Sequence, residues 1–352
     1  MKYMIKQFLS AAAVAAVAIT ALAACAPAAS NGGGSSGGAG TGSTASGSVT
    51  DVTIQISGAA APYYAPIYEA ISQGFFRKNG LNVTLGYAED ANIVQNVAAG
   101  NVQFGFPNGA EVITAKGNGV NVNVIDTTYQ QGIDALMFNA KRSGITSPAD
   151  LKGKTVAITA LGSPDYIDLQ AMLKSAGLSL SDIHLKLIGT GAIVQALQRG
   201  QVDAIEFSRL RYFALQSAGF PVGEILADNY MPSFGNVLIT NSSYLKSNPA
   251  VAKDFVAALH EGIQYVIAHP AQSVSNSISK YATTFAGQDA AITQVIEQVY
   301  IPQLWQSAGT KAHGLGYGDL ARWQSAIKAQ LKYGLIKKSY SAGSLVVEPG
   351  DL

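Results

Sequence analysis

Stretches of apolar residues at helical spacing alternate with short apolar runs along this chain, and one such pair occurs twice. Ile93-Val94-Gln95, then Gly100, Val102 and an apolar run, return as Ile193-Val194-Gln195, then Gly200, Val202 and another apolar run. Each copy reads as an amphipathic helix stopped by a glycine, then a short buried strand, at 102–106 and at 202–207. Such αβ units, far apart in the chain, point to two α/β lobes with a sheet each. Open α/β sheets bind ligands at the carboxyl ends of their strands, so a cleft between two lobes is the expected site.

In the first lobe the pattern predicts strand 52–56, helix 65–79, strand 83–87, helix 91–99 and strand 102–106, then a helix near 110–116 and strands near 120–125 and 135–139. Alternating strands and helices imply a parallel sheet covered on both faces. The second lobe opens at Ser147-Pro148-Ala149-Asp150, where Ser suits an N-cap and Pro the first helical position. Strand 155–159, a helix at 165–176 started by Ser163-Pro164, strand 185–188, helix 193–199, strand 204–207 and helix 209–218 complete it. Strand 236–240 returns to the first lobe. Beyond it the pattern is mostly helical, at 249–269, 273–281, 290–300 and 319–333. Lobe 1 is thus expected at 49–139 plus 237–352 and lobe 2 at 140–236, with a hinge near 139–143 and 233–237.

Lys2 and Lys6 precede a short apolar stretch that ends in Leu22-Ala23-Ala24-Cys25, which reads as a secretory signal over 1–24. Leu-Ala-Ala-Cys also resembles the bacterial lipobox, which implies that Cys25 receives a lipid anchor. Cys25 is the only cysteine, so disulfides are excluded, and lipidation leaves no thiol for catalysis or metal. Residues 26–48 are almost wholly Gly, Ser, Ala and Thr, a tether from Cys25 to residue 48 that reaches on the order of 25 Å as a flexible coil. Its glycines have neither the strand nor the helix that a phosphate-binding loop needs.

Charge changes the picture little. There are 23 Lys+Arg against 22 Asp+Glu, and two of the cations lie in the signal, so no basic face recommends nucleic acid. His184, His260, His269 and His313 are scattered without metal-ligand spacing. The chain has no nucleophile elbow, no Gly-x-x-x-x-Gly-Lys and no His-Glu-x-x-His, which speaks against an enzyme.

Ala65-Pro66-Ile67-Tyr68 with Gly74-Phe75-Phe76, then Asn79-Gly80-Leu81-Asn82-Val83, resembles the opening of substrate-binding proteins of ABC importers, in the nitrate, sulfonate, taurine and thiamine-pyrimidine group. Gly100-Asn101-Val102-Gln103-Phe104-Gly105, Asp150-Leu151-Lys152-Gly153-Lys154-Thr155-Val156 and Gly200-Gln201-Val202-Asp203-Ala204 are similar to further signatures of that group, in the same order. The resemblance implies an α/β, two-lobed periplasmic-binding-protein type II fold, each lobe a mostly parallel sheet with flanking helices. It implies a monomeric, non-enzymatic protein without cofactor or metal. Such a protein is lipid-anchored outside the bacterial cell membrane and hands a small molecule to an ABC permease with its cytoplasmic ATPase. A tethered sensor would read the same way. The fold also carries a pyrimidine synthase, whose cysteine-rich motif is missing here.

Strand ends and helix starts supply the candidate ligand contacts: Tyr63, Tyr64, Asp90, Asn108 and Tyr129 from the first lobe, and Ser163, Asp165, Tyr166, Glu206, Phe207 and Tyr230 from the second. Tyr63, Tyr64, Tyr129, Tyr166 and Phe207 would suit a planar ligand, since stacking is worth roughly 0.5–1.5 kcal/mol per ring pair beyond area burial. The backbone N–H groups after Asn108 and Ser163 could hold a sulfonate, nitrate or phosphate oxygen. Asp90, Asp165 and Glu206 would repel that anion, and of Arg209 and Arg211 only one can face inward from a helix. Ser163 and Asp165 also suit helix capping. The ligand expected is therefore a neutral or weakly cationic heteroaromatic such as a thiamine-type pyrimidine, although the Trp-x-Pro-Asn motif of those binders is missing from 57–62. A sulfonate-, taurine- or nitrate-like anion is the alternative.

Overall fold

The computed structural model describes residues 49–352. The signal 1–24, the lipidation position Cys25 and the tether up to residue 48 lie outside the described residues. The chain runs β1 (Thr50–Ser57), α1 (Ala65–Ser72), α2 (Phe75–Lys78), β2 (Leu81–Ala88), α3 (Asp90–Ala98), β3 (Phe104–Phe106), α4 (Gly109–Gly117) and β4 (Val122–Asp126). It continues with β5 (Asp134–Asn139), β6 (Thr155–Ile158), α5 (Pro164–Ser175), β7 (His184–Leu187), α6 (Ile193–Gln198), β8 (Ala204–Ser208), α7 (Leu210–Ser217) and β9 (Val222–Leu226). β10 (Leu238–Asn241) leads into α8 (Ser242–Ser247), α9 (Pro249–Ala268), α10 (Pro270–Lys280), α11 (Asp289–Val295), a π-helix at Ile296–Trp305, α12 (Ala308–His313) and α13 (Leu320–Lys332).

The strands form two five-stranded sheets, β2-β1-β3-β10-β4 and β7-β6-β8-β5-β9. Each has three parallel strands, then one antiparallel strand, then a fifth that is antiparallel to the fourth. In both sheets the antiparallel strand is the first that the chain enters after crossing from the other sheet. The internal repeat marks the middle of each sheet. β3 and β8 are the central strands, and the turns before them close alike: Gly100 N donates to Val97 O at 3.0 Å and Gly200 N to Leu197 O at 3.1 Å. Gly100 and Gly200 have φ of 77° and 69°, a left-handed conformation that stops the helix at little cost only for glycine. Ile93 and Ile193 are both fully buried under their sheets.

Four sequence expectations need correction. β5 pairs with β8 and β9, so it belongs to the second sheet and the first crossing lies at 127–133, not near 139–143. All six residues of β5 are buried, so its apolar run would suit either sheet, and 127–133 has a single glycine to announce a change of direction. The helix expected over 65–79 breaks at Gly74, whose φ is 77°. The sequence reading missed β9, and the helix expected at 290–300 turns into the π-helix, which contains Pro302.

The two crossing segments run side by side, with Tyr129 N donating to Asn236 O at 3.0 Å and Gly235 N to Gln131 O at 2.9 Å. A small apolar cluster beside them joins Ala110 and Tyr333 to Ile167, Ala171 and Met231. On the first sheet α9 packs against α1 so closely that a Cβ on Gly262 would sit 2.2 Å from Pro66 O.

Candidate functional site

A cavity of about 420 Å³ lies between the two sheets. Ser57, Asp90 and Asn108 line it from the carboxyl ends of β1, β2 and β3. Thr159, Thr190 and Ser208 line it from the carboxyl ends of β6, β7 and β8, so both sheets present their ligand-binding ends to one space.

Eight of the eleven expected contacts line this cavity: Tyr63, Tyr64, Asp90, Asn108, Tyr129, Ser163, Asp165 and Phe207. Tyr166, Glu206 and Tyr230 do not. Tyr166 and Tyr230 pack against the core of the second sheet. In a helix one step turns the side chain by about 100°, so Asp165 can face the cleft while Tyr166 faces the sheet. Glu206 is fully buried: it shares a face of β8 with Ser208, which lines the cavity, but stands two residues farther back from the strand's carboxyl end.

The sequence reading missed three lining residues that matter. Asp134 begins β5, whose apolar run suits either sheet, so the sequence does not place it in the second lobe. Tyr300 comes from the π-helix and Phe285 from the turn before α11, segments whose patterns gave no sign of reaching the cleft. Tyr300 stacks on Tyr63 with ring centroids 5.2 Å apart and planes 4° from parallel, and Tyr129 meets Tyr300 edge-on at 5.6 Å. These rings form one aromatic wall.

The same cavity is lined by carboxylates held by neutral donors. Ser57 Oγ donates to Asp90 Oδ2 at 3.0 Å and Asn108 N donates to Asp90 Oδ1 at 2.8 Å. Thr159 N donates to Asp165 Oδ2 at 2.6 Å, and Thr159 Oγ1 donates to Asp165 Oδ1 at 3.0 Å. Asp168 and Glu206 are buried, and among the described residues neither oxygen of Glu206 has a hydrogen-bond partner. Burial, then the neighbouring carboxylates, pushes Asp134, Asp168 and Glu206 up from the ordinary carboxylate range. Burial likewise raises Asp90 to about 6, against its hydrogen bonds, and Glu111 to about 7, with Asp90 adding to the effect. Among the described residues no group of three or more His, Cys, Asp and Glu is placed to hold a metal ion.

Both helix starts at the cleft are capped by their own side chains. Asn108 Oδ1 accepts from Ala110 N at 2.9 Å and Ser163 Oγ accepts from Tyr166 N at 3.3 Å, so these amides already have acceptors. Of the two arginines near α7, Arg209 turns away to Glu224, with Nη2 2.9 Å from Oε1, and to Gln303 Oε1 at 3.2 Å. Arg211 faces the cleft.

The chain is 25% identical over 275 residues to the riboflavin-binding protein RibY of Chloroflexus aurantiacus, covering 77% of this chain and 78% of that one. It is 28% identical over 235 residues to the 4-amino-5-hydroxymethyl-2-methylpyrimidine phosphate synthase of Aspergillus parasiticus, covering 62% and 68% of the two chains. Its structure matches the periplasmic aliphatic sulphonate binding protein SsuA of Escherichia coli with a TM-score of 0.63 at 18% identity, over 86% of this chain and 93% of that chain. The two five-stranded sheets with flanking helices are therefore a periplasmic-binding-protein fold. The family model described as NMT1/THI5 like matches residues 61–273, more than half of the chain, and the chain belongs to that family.

Proposed function

We propose that this protein is the extracytoplasmic solute-binding subunit of an ABC importer and that it captures a planar heteroaromatic molecule with N–H donors, of the aminopyrimidine or flavin kind. The observation that carries the reading is the pairing of an aromatic wall with carboxylates that, among the described residues, no Lys or Arg neutralises by an ion pair. Rings of the ligand would stack on the wall, and its N–H groups would donate to Asp90, Asp134 and Asp165. An aliphatic sulfonate or nitrate would meet those carboxylates as a like charge and would find the helix starts already capped. RibY, a riboflavin binder by name, and the synthase, named for a pyrimidine, lend the heteroaromatic class further support.

The mechanism proposed is binding and closure without covalent chemistry. A ligand that touches both lobes stabilises the closed form by its differential affinity, and the closed form is the one a permease would receive. Lipidation at Cys25 would hold the monomer at the bacterial membrane beside that permease and its ATPase. A second reading, a pyrimidine synthase, rests on the relatives that carry that name.

Isothermal titration calorimetry tests the proposal with riboflavin, 4-amino-5-hydroxymethyl-2-methylpyrimidine, an alkyl sulfonate and nitrate. Saturable binding of a heteroaromatic, with the compound recovered unchanged, supports it. Turnover of the compound, or binding of the anions alone, rejects it.

A further inference from the structure

We infer that the cleft is built for a ligand with two unlike ends: an N–H-bearing heteroaromatic edge that meets the carboxylates, and an oxyanion substituent, a carboxylate or a phosphate, that meets Arg211. The inference rests on the heteroaromatic reading of the cleft and adds the charge of the ligand's far end to it.

Among the described residues Arg211 is the only Lys or Arg that lines the cavity. Among the described residues no carboxylate forms an ion pair with it. Its Cζ stands 5.5 Å from the centroid of the Phe207 ring, and the residue is half-buried. Its charge is felt across the cleft: burial pushes the Tyr63 and Tyr300 hydroxyls up, and Arg211 opposes that rise. The guanidinium therefore shares the cavity with the aromatic wall, on the lobe that also carries Asp134, Asp165 and Phe207, and the cleft holds a cation as well as its carboxylates.

Arg209, two residues earlier, serves as an internal comparison. Its guanidinium is held by Glu224 and Gln303, whereas that of Arg211 is left with a ring face. A guanidinium presents a planar fork of donors that fits a carboxylate or a phosphate at two points, and a ring face satisfies none of those donors. The capped helix starts offer a ligand oxyanion no better place.

Calorimetry with matched probes separates the possibilities: riboflavin against riboflavin 5′-phosphate, 4-amino-5-hydroxymethyl-2-methylpyrimidine against its phosphate, and nicotinamide against nicotinate. In at least one pair the oxyanion member should bind the wild-type protein about tenfold or more tightly than its neutral partner, the size of one charge-assisted contact. Arg211→Met should bring that ratio to about one, and Arg211→Lys, which keeps the charge but not the fork, should retain part of it. Phosphate and carboxylate pairs report separately on the two oxyanions. Equal binding of both members, or a ratio that survives Arg211→Met, overturns the assignment of Arg211 and leaves the heteroaromatic reading standing. Binding by no member of any pair overturns both.

Discussion

Asn108 and Asp134 meet across the cleft, the side-chain Nδ2 of Asn108 donating to Asp134 Oδ2 at 3.3 Å. Asn108 precedes α4 beside the first sheet and Asp134 begins β5 of the second, so this bond ties the two lobes at the ligand space. The same asparagine caps α4 through Oδ1 and donates its backbone N–H to Asp90. One residue thus orders a helix start and a carboxylate from each lobe. Asn108→Ala should cost about 1–2 kcal/mol of stability, the scale of a lost cap with a lost hydrogen bond, and should weaken ligand binding as well. Urea unfolding read beside calorimetry checks both; full affinity in a destabilised variant would show that Asn108 serves the helix alone.

Glu111 gives a pH dependence with a definite sign. Burial, and then Asp90, holds its carboxyl at about 7 in the folded protein, and among the described residues one of its oxygens has no partner. An acid that binds its proton more tightly folded than unfolded stabilises the fold fully below its unfolded pKa and loses that stability as pH rises through the folded value. The loss should therefore develop between about pH 4 and pH 7. Glu111→Gln cannot ionise, so it should match the wild type at pH 4 and exceed it at pH 8 by roughly 3 kcal/mol. Denaturation at the two pH values decides the matter, and a variant less stable than wild type at pH 8 would mean that the ionised form is the one the fold favours.

Tyr63 and Tyr166 should behave differently. Tyr63 lines the cleft and stacks on Tyr300, whereas Tyr166 packs into the second sheet's core. Tyr63→Ala should weaken heteroaromatic binding by about 1 kcal/mol or more, the scale of a lost stack. Tyr166→Ala should lower the melting temperature and leave affinity within about twofold. Equal losses of affinity in both would contradict the place given to Tyr166.

Gly262 sets two general effects against each other. In mid-helix, Gly→Ala stabilises by about 1 kcal/mol on propensity alone. Here the added Cβ would lie 2.2 Å from the backbone oxygen of Pro66, and a buried backbone cannot step aside as a side chain can. Gly262→Ala should therefore destabilise, by about 1–3 kcal/mol; a rise in melting temperature would show that α1 and α9 can separate freely.

These contrasts show which parts of the molecule the chain made legible. The repeat at Ile93–Gly100 and Ile193–Gly200 could be read because a helix stop at glycine and a buried strand are local events, and they mark the central strands β3 and β8. The cleft residues at strand ends, such as Asp90 and Asn108, followed from the same periodicity. The partner of a strand is set by contacts distant in sequence, so the sheet to which β5 belongs, and Asp134 with it, could not be read locally. Glu206 differs for another reason, since a charged residue beside an aromatic suggests a site until its place two residues back from the strand end is known to bury it. Tyr300 depends on a π-helix, whose extra residue per turn leaves no distinctive spacing in so short a segment.

The most direct test of the central claim is a binding isotherm of the wild-type protein with riboflavin and with 4-amino-5-hydroxymethyl-2-methylpyrimidine, measured beside an alkyl sulfonate and nitrate. A ligand that binds only the folded state also raises its melting temperature, so a thermal scan gives an independent reading of the same event. At least one heteroaromatic should bind saturably and raise the melting temperature, and the simple anions should do neither. Binding of sulfonate or nitrate alone would contradict that claim.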